Sequence, residues 1–136
     1  MSRLLAGCRI LIVEDEMLVL RGVEIALEEL GCDSIHVAAN VADALTLLAQ
    51  NAIDAALLDV NLGGENSYSV ADALVHAGIP FAFSTGYGDH GDRQDFDDRP
   101  VLRKPYVRAT FTAVFEQLAQ TMRLTTEVKY DPVERG

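Results

Sequence analysis

The sequence predicts a single α/β domain built on a five-stranded parallel β-sheet with helices on both faces. Short apolar runs alternate along the chain with longer segments in which apolar residues recur at helical spacing. The short runs are apolar throughout, which is typical of strands buried on both faces of a parallel sheet. A length of 136 residues fits one such domain and is short for two.

The predicted strands are five short apolar runs bounded by turn residues. They cover residues 8–14, 33–38, 53–59, 79–85 and 100–104. Parallel strands joined by right-handed crossovers and covered on both faces form a doubly wound, flavodoxin-like domain. We therefore expect the strand order 2-1-3-4-5.

The predicted helices alternate with the strands. The first covers residues 16–30 and ends at Gly31, the second follows Asn40 as its N-cap, and the third covers 67–77. The last helix, about 107–124, carries one apolar face, which we interpret as core packing. The residues of that face are Phe111, Val114, Phe115, Leu118 and Met122.

A further helix is expected between the fourth and fifth strands, but residues 86–100 suit one poorly. The segment contains three glycines, a proline and several aspartates. Glycine costs about 1 kcal/mol in a helix interior relative to alanine, and like charges repel each other on a helix surface. We predict a short or irregular fourth helix. The domain is expected over residues 1–124, followed by a C-terminal tail at 125–136.

Composition and charge exclude several classes of function. Twenty-one acidic against eleven basic residues give a net charge of −10, which opposes binding to nucleic acid or anionic lipid. No segment approaches the roughly 18 unbroken apolar residues of a membrane span. Cys8 and Cys32 are 24 positions apart and lack metal-binding or redox spacing, as do the three histidines. We expect a cytoplasmic protein with free thiols.

Polar side chains stand at the ends of four predicted strands. In chain order they are Glu14, Asp15 and Glu16, then Asp59, then Ser84 and Thr85, and finally Lys104. In a doubly wound sheet the carboxyl ends of neighbouring strands meet at one crevice, which is where ligands bind. Each residue alone is ordinary at a loop or helix start. Their joint placement at four strand ends predicts a functional site.

The residue types at this crevice fit phosphoryl transfer. Clustered acids cannot all ionise cheaply without a cation, and a hard site with few oxygen ligands suits Mg²⁺. A carboxylate such as Asp59 can act as a nucleophile toward phosphorus, while Lys104 and the Thr85 hydroxyl neutralise the oxygens of the transferring group. The sequence thus predicts phosphoryl acceptance on Asp59.

Residues 8–124 resemble a receiver (CheY-like) domain of a two-component response regulator. The match rests on "LIVEDE" at the acidic pair Glu14 and Asp15, "LLDVN" at Asp59, "STG" at Thr85 and "RKP" at Lys104. The resemblance implies a phosphoacceptor switch that is not an enzyme beyond its own phosphorylation and dephosphorylation.

The resemblance also implies a cofactor and partners. Asp15, Asp59 and the backbone carbonyl of Asn61 would hold Mg²⁺, with Glu14 contributing mainly through water. The phosphoryl donor would be a histidine kinase or a histidine phosphotransfer protein. We expect a stand-alone response regulator that signals through protein contacts, on the last helix and the 86–106 surface, or that acts as a phosphate sink.

The sequence departs from the receiver pattern in three places. "NLGGENS" replaces the usual Met-Pro and Asp-Gly after the phosphoacceptor, so we expect a more mobile loop there. Val101 stands where receivers usually carry a tyrosine or phenylalanine. "PFAFSTGY" (80–87) resembles the signature of the alphaproteobacterial FATGUY subfamily, which is associated with HWE-type kinases, although Ser84 replaces its alanine.

Two alternatives remain open from the residues. A Mg²⁺-dependent phosphatase of the haloacid-dehalogenase type also uses an aspartate nucleophile at a strand end. It needs a second aspartate two residues later as general acid, and that position is Asn61. The other alternative is a receiver-like interaction module that is never phosphorylated. A small phosphodonor with Mg²⁺ distinguishes it, because only a phosphoacceptor gains mass.

Overall fold

The structure is a computed structural model that describes residues 2–86 and 98–129, with side chains through residue 122. Strands and helices alternate along the chain as predicted. In order they are β1 (Arg9–Val13), α1 (Met17–Glu29), β2 (Ser34–Ala38), α2 (Val41–Gln50), β3 (Ala55–Asp59), β4 (Asn61–Leu62), β5 (Glu65–Asn66), α3 (Tyr68–Ala77), β6 (Phe81–Thr85), β7 (Val101–Arg103) and α4 (Arg108–Lys129).

The main sheet has five parallel strands in the order β2-β1-β3-β6-β7. Numbered without the small β4–β5 hairpin, this is the predicted order 2-1-3-4-5. β3 is buried along its whole length, as its unbroken apolar sequence predicts. The α/β, flavodoxin-like fold is confirmed.

The sheet separates two hydrophobic clusters. One lies beneath α1 and α4 and includes four of the five predicted face residues, Phe111, Val114, Phe115 and Leu118, while the fifth, Met122, packs against it. The other lies beneath α2 and α3. Helices therefore cover both faces, and the carboxyl ends of the strands form one shared edge.

Local signals at the helix ends act as predicted. The Asn40 side chain accepts a hydrogen bond of 2.8 Å from the backbone N–H of Asp43 and caps α2. Gly31 follows the end of α1 with a φ of 89°, a left-handed conformation that favours glycine.

The structure differs from the expectations at two segments. Residues 61–66, expected as a loop, form the β4–β5 hairpin, because Gly63 and Gly64 adopt the positive φ angles (62° and 96°) that a two-residue hairpin turn needs. Helix α4 runs to Lys129, beyond the predicted end at Leu124, since no glycine or proline interrupts the chain before Pro132.

The predicted short or irregular fourth helix lies largely outside the described residues, as do Tyr87 and His90. Within the ranges 2–86 and 98–129, no helix has both the length and the apolar character needed to cross a lipid bilayer.

Candidate functional site

The site forms because the register of the parallel strands aligns their carboxyl ends. Val13 of β1 pairs with Leu58 of β3, so the next residues, Glu14 and Asp59, lie side by side at the ends of these neighbouring strands. Asp59 in turn pairs with Ser84, and Thr85 pairs with Arg103, directly before Lys104. Residues from four distant places in the sequence thereby reach one edge of the sheet.

Three carboxylates meet at this edge. One oxygen each of Glu14, Asp15 and Asp59 lies within 4.8 Å of the other two. Glu14 and Asp59 are each 3% exposed, whereas Asp15 is exposed to solvent. Carboxylate oxygens at this separation match the donor chemistry of Mg²⁺, which binds few protein oxygens and keeps several waters. The acidic pocket therefore fits a divalent metal.

Lys104 joins the two buried acids. Its Nζ lies 2.9 Å from Asp59 Oδ2 and 3.0 Å from Glu14 Oε1. Burial alone would lower the pKa of Lys104, but its hydrogen bonds to the two carboxylates outweigh burial and raise that pKa above its ordinary value. The two carboxylates therefore favour the charged form of Lys104.

Glu14 is held less favourably in its charged form. Burial raises the pKa of Glu14, and the hydrogen bonds from Lys104 and from the backbone N–H of Glu16 only partly oppose that rise. The charge of Glu14 is already shared with Lys104, which fits a minor role in holding a metal.

The β4–β5 hairpin closes the outer side of the pocket. The backbone N–H of Asn61 donates a 3.2 Å hydrogen bond to Asp59 Oδ1, and the Asn61 side chain accepts one of 2.8 Å from Gly64. A Cβ atom placed on Gly63 would lie 3.3 Å from Asp15 Oδ2. The hairpin tip thus lies directly against the exposed acid.

Thr85 stands beside the pocket at the end of β6. Its carbonyl accepts a 2.8 Å hydrogen bond from the backbone N–H of Lys104. Its hydroxyl oxygen is buried and has no hydrogen-bond partner among the residues that the structure describes. A buried hydroxyl without a partner is costly, so this one is suited to bind an incoming oxygen.

One polar pair was not predicted as part of the site. The hydroxyls of Ser84 and Tyr106 lie 2.6 Å apart, and burial raises the pKa of Tyr106, although its hydrogen bond with Ser84 opposes that rise. Ser84 stood out as a polar residue at a strand end, but nothing in the sequence indicates a partner 22 positions away.

The comparisons with known proteins agree with this geometry. Residues 10–116 match the family model described as the response regulator receiver domain. The chain belongs to that family.

Individual relatives support the assignment. The receiver is 30% identical over 130 residues to the sensory transduction protein LytT of Bacillus subtilis (strain 168), a match that covers 93% of the chain. The chain spans about half (51%) of that relative's length.

Solved structures give a second, independent comparison. The solution structure of SdrG from Sphingomonas melonis Fr1 has 44% sequence identity and a TM-score of 0.75, covering 82% of this chain and 95% of that one. The solution structure of the BeF3-activated conformation of SdrG from Pseudomonas melonis Fr1 also has 44% identity, with a TM-score of 0.70, covering 83% of this chain and 98% of that one.

The predicted site residues are thus brought together to different degrees. Glu14, Asp15, Asp59 and Lys104 form one contiguous cluster, and Asn61 contacts Asp59 through its backbone. Thr85 contacts the Lys104 backbone. The chemical roles assigned to these residues stay predictions.

Proposed function

We propose that this receiver accepts a phosphoryl group on Asp59 and acts as a phosphorylation switch or a phosphate sink. The observation that carries the proposal is the position of Asp59 at the end of β3. There it contacts a lysine ammonium on one side and the Asn61 N–H on the other, and it faces two further acids. A carboxylate held this way is placed for attack on phosphorus.

The donor in this proposal is the phosphohistidine of a histidine kinase or phosphotransfer protein. An oxygen of Asp59 forms a bond to phosphorus while the phosphorus–nitrogen bond breaks, and the departing imidazole takes up a proton. Lys104 neutralises one oxygen of the transferring group, and the unpartnered Thr85 hydroxyl donates to another.

Magnesium is the proposed cofactor. Asp15, Asp59 and the Asn61 carbonyl would hold it, with Glu14 acting mainly through water because Lys104 already engages that side chain. The bound ion would supply positive charge to the oxygens of the transferring group.

Two finer proposals follow, the first supported by the 44% identity to SdrG and the second by the chain's own sequence. A BeF3-activated conformation is known for that protein, which supports activation of this chain by phosphate or its mimics. We also place the chain in the alphaproteobacterial FATGUY subfamily, with an HWE-type kinase as donor, on its "PFAFSTGY" segment. We propose that the signal is passed on through protein contacts made by α4 and by residues 86–106.

The phosphatase alternative gains no support from the site. It requires a carboxylic acid two residues after the nucleophile. That position is Asn61, whose side-chain amide oxygen accepts a hydrogen bond from the Gly64 N–H.

Intact-mass measurement after incubation with acetyl phosphate and Mg²⁺ tests the proposal. Wild type and Asp54→Asn should each gain one phosphoryl group, while Asp59→Asn should gain none. Asp54 is the matched control because it lies just before the other end of β3, where it pairs with Arg9. A similar gain in Asp59→Asn would remove the assignment, and no gain in wild type would favour an interaction module that is never phosphorylated.

A further inference from the structure

Two hydrogen bonds, one from the backbone and one from a side chain, hold the segment from Lys104 to Tyr106 against β6. The backbone N–H of Lys104 donates to the Thr85 carbonyl at 2.8 Å. β7 ends at Arg103, and Pro105, which follows Lys104, has no backbone N–H to donate. The next anchor is a side chain, since the Tyr106 hydroxyl lies 2.6 Å from that of Ser84.

The Ser84–Tyr106 hydrogen bond is partly buried. Ser84 is 1% exposed and lies directly opposite Asp59 in the pairing of β3 with β6. The Tyr106 ring packs on Phe111 of α4, with ring centres 5.9 Å apart. Tyr106 and Phe111 also line a cavity of about 400 Å³, together with Lys104 and with Leu18 and Val19 of α1. The tyrosine is therefore held at both its ring and its hydroxyl.

The position of Lys104 has to meet a strict geometric requirement. Its ammonium must lie within hydrogen-bond distance of two buried carboxylates at once, although its side chain is long and has many rotamers. Fixing the chain on both sides of Pro105 fixes the direction in which Lys104 leaves the backbone.

We infer that Ser84 and Tyr106 are a positioning pair that sets where the Lys104 ammonium meets Asp59. This inference rests on the proposed function, in which the Lys104 ammonium binds an oxygen of the phosphoryl group. Neither residue contacts the reacting atoms, so both act through Lys104.

Three variants separate positioning from simple stability. Tyr106→Phe leaves the buried Ser84 hydroxyl without its partner, and Ser84→Ala leaves the partly buried Tyr106 hydroxyl without its own, so each should lower the Tm by about 3 to 8 °C. The double variant removes both hydroxyls, leaves none unpaired, and should recover most of that loss. Ser67→Ala is the control, since Ser67 is also fully buried and its hydroxyl has no partner within the described part of the chain.

Two readouts follow the position of Lys104. The rate of phosphorylation by acetyl phosphate should fall about tenfold or more in all three variants, including the stable double variant, because misplacing a group by a fraction of an ångström already slows a positioned reaction. The NMR signal of the Lys104 side-chain ε-carbon should shift in the same three variants and stay unchanged in Ser67→Ala.

The outcomes are distinguishable. If the double variant recovers its phosphorylation rate together with its Tm, the pair is only structural and the inference is wrong. Unchanged Lys104 signals in all three variants would overturn it as well. If wild type takes up no phosphate, the proposed function fails, and the Lys104 signals alone then decide whether the pair positions this lysine.

Discussion

The acidic pocket has two halves that are built differently. The inner half, Glu14, Asp59 and Lys104, is formed by strand ends, and its two acids are buried against their own cation. The outer half, Asp15 and the hairpin tip at Gly63, faces solvent, and its acid lies against a turn. The comparison indicates that the protein supplies its own cation to the inner half, whereas the outer acid is open to solvent, on the side where the proposed Mg²⁺ would bind.

The largest expected effect comes from removing the internal cation. Lys104→Met leaves two buried carboxylates without a positive partner, and breaking a buried ion pair in this way costs about 3 kcal/mol or more. Urea unfolding without metal should show this loss in the free energy of unfolding. Arg103→Met, at the exposed neighbouring position, is the control and should change little. Equal losses of unfolding free energy in the two variants would show that the inner half does not need Lys104 as its cation.

Metal affinity should respond most strongly in the outer half. Asp15→Asn removes a direct charged ligand and should weaken Mg²⁺ binding about a hundredfold, whereas Glu14→Gln should weaken it about tenfold or less. NMR titration with Mg²⁺ measures both. If the two variants lose affinity equally, Glu14 is as much a ligand as Asp15.

The hairpin tip offers a finer test of the outer half. Gly63→Ala and Gly64→Ala both place a side chain at a positive φ and should each cost about 1 kcal/mol of stability. Only a Cβ at Gly63 would approach Asp15 Oδ2, at 3.3 Å; at Gly64 none of the described atoms lies within 4 Å. We therefore expect weaker Mg²⁺ binding in Gly63→Ala alone. Equal affinities in the two variants would show that the tip does not constrain Asp15.

The smallest effect is a pH dependence in the inner half. Because burial raises the pKa of Glu14, the folded state binds this proton more tightly than the unfolded state does. Folding stability contributed by Glu14 should then fall as pH rises above its ordinary pKa of 4.5. In metal-free buffer, Glu14→Gln should gain stability relative to wild type above that pH and match it below. A constant difference across the range would contradict the raised pKa.

The sequence predicts the inner half better than the outer half for a physical reason. Asp59 and Lys104 end strands whose apolar runs are local signals, and the parallel sheet then brings those ends together without further information. The hairpin was missed because strands of two residues, Asn61–Leu62 and Glu65–Asn66, carry no periodicity. The sequence feature that could have predicted the hairpin is the Gly63–Gly64 pair, which suits a two-residue turn.

Two other features depend on long-range contacts that no local pattern encodes. Glu14 was predicted as a metal-site acid, but its ion pair with Lys104 spans 90 positions and follows from the strand order, in which β3 and β6 lie between β1 and β7. The Ser84–Tyr106 bond likewise depends on how the chain turns after β7.

The most direct measurement maps the phosphoryl group to a residue. Wild-type protein is incubated with acetyl phosphate and Mg²⁺, reduced with borohydride, which converts an aspartyl phosphate to homoserine, and sequenced by peptide mass spectrometry. Homoserine at position 59 alone is the predicted result, because only Asp59 ends a strand between Lys104 and the other acids. Homoserine at position 15, or at no position in a protein that has gained phosphate, would contradict the account.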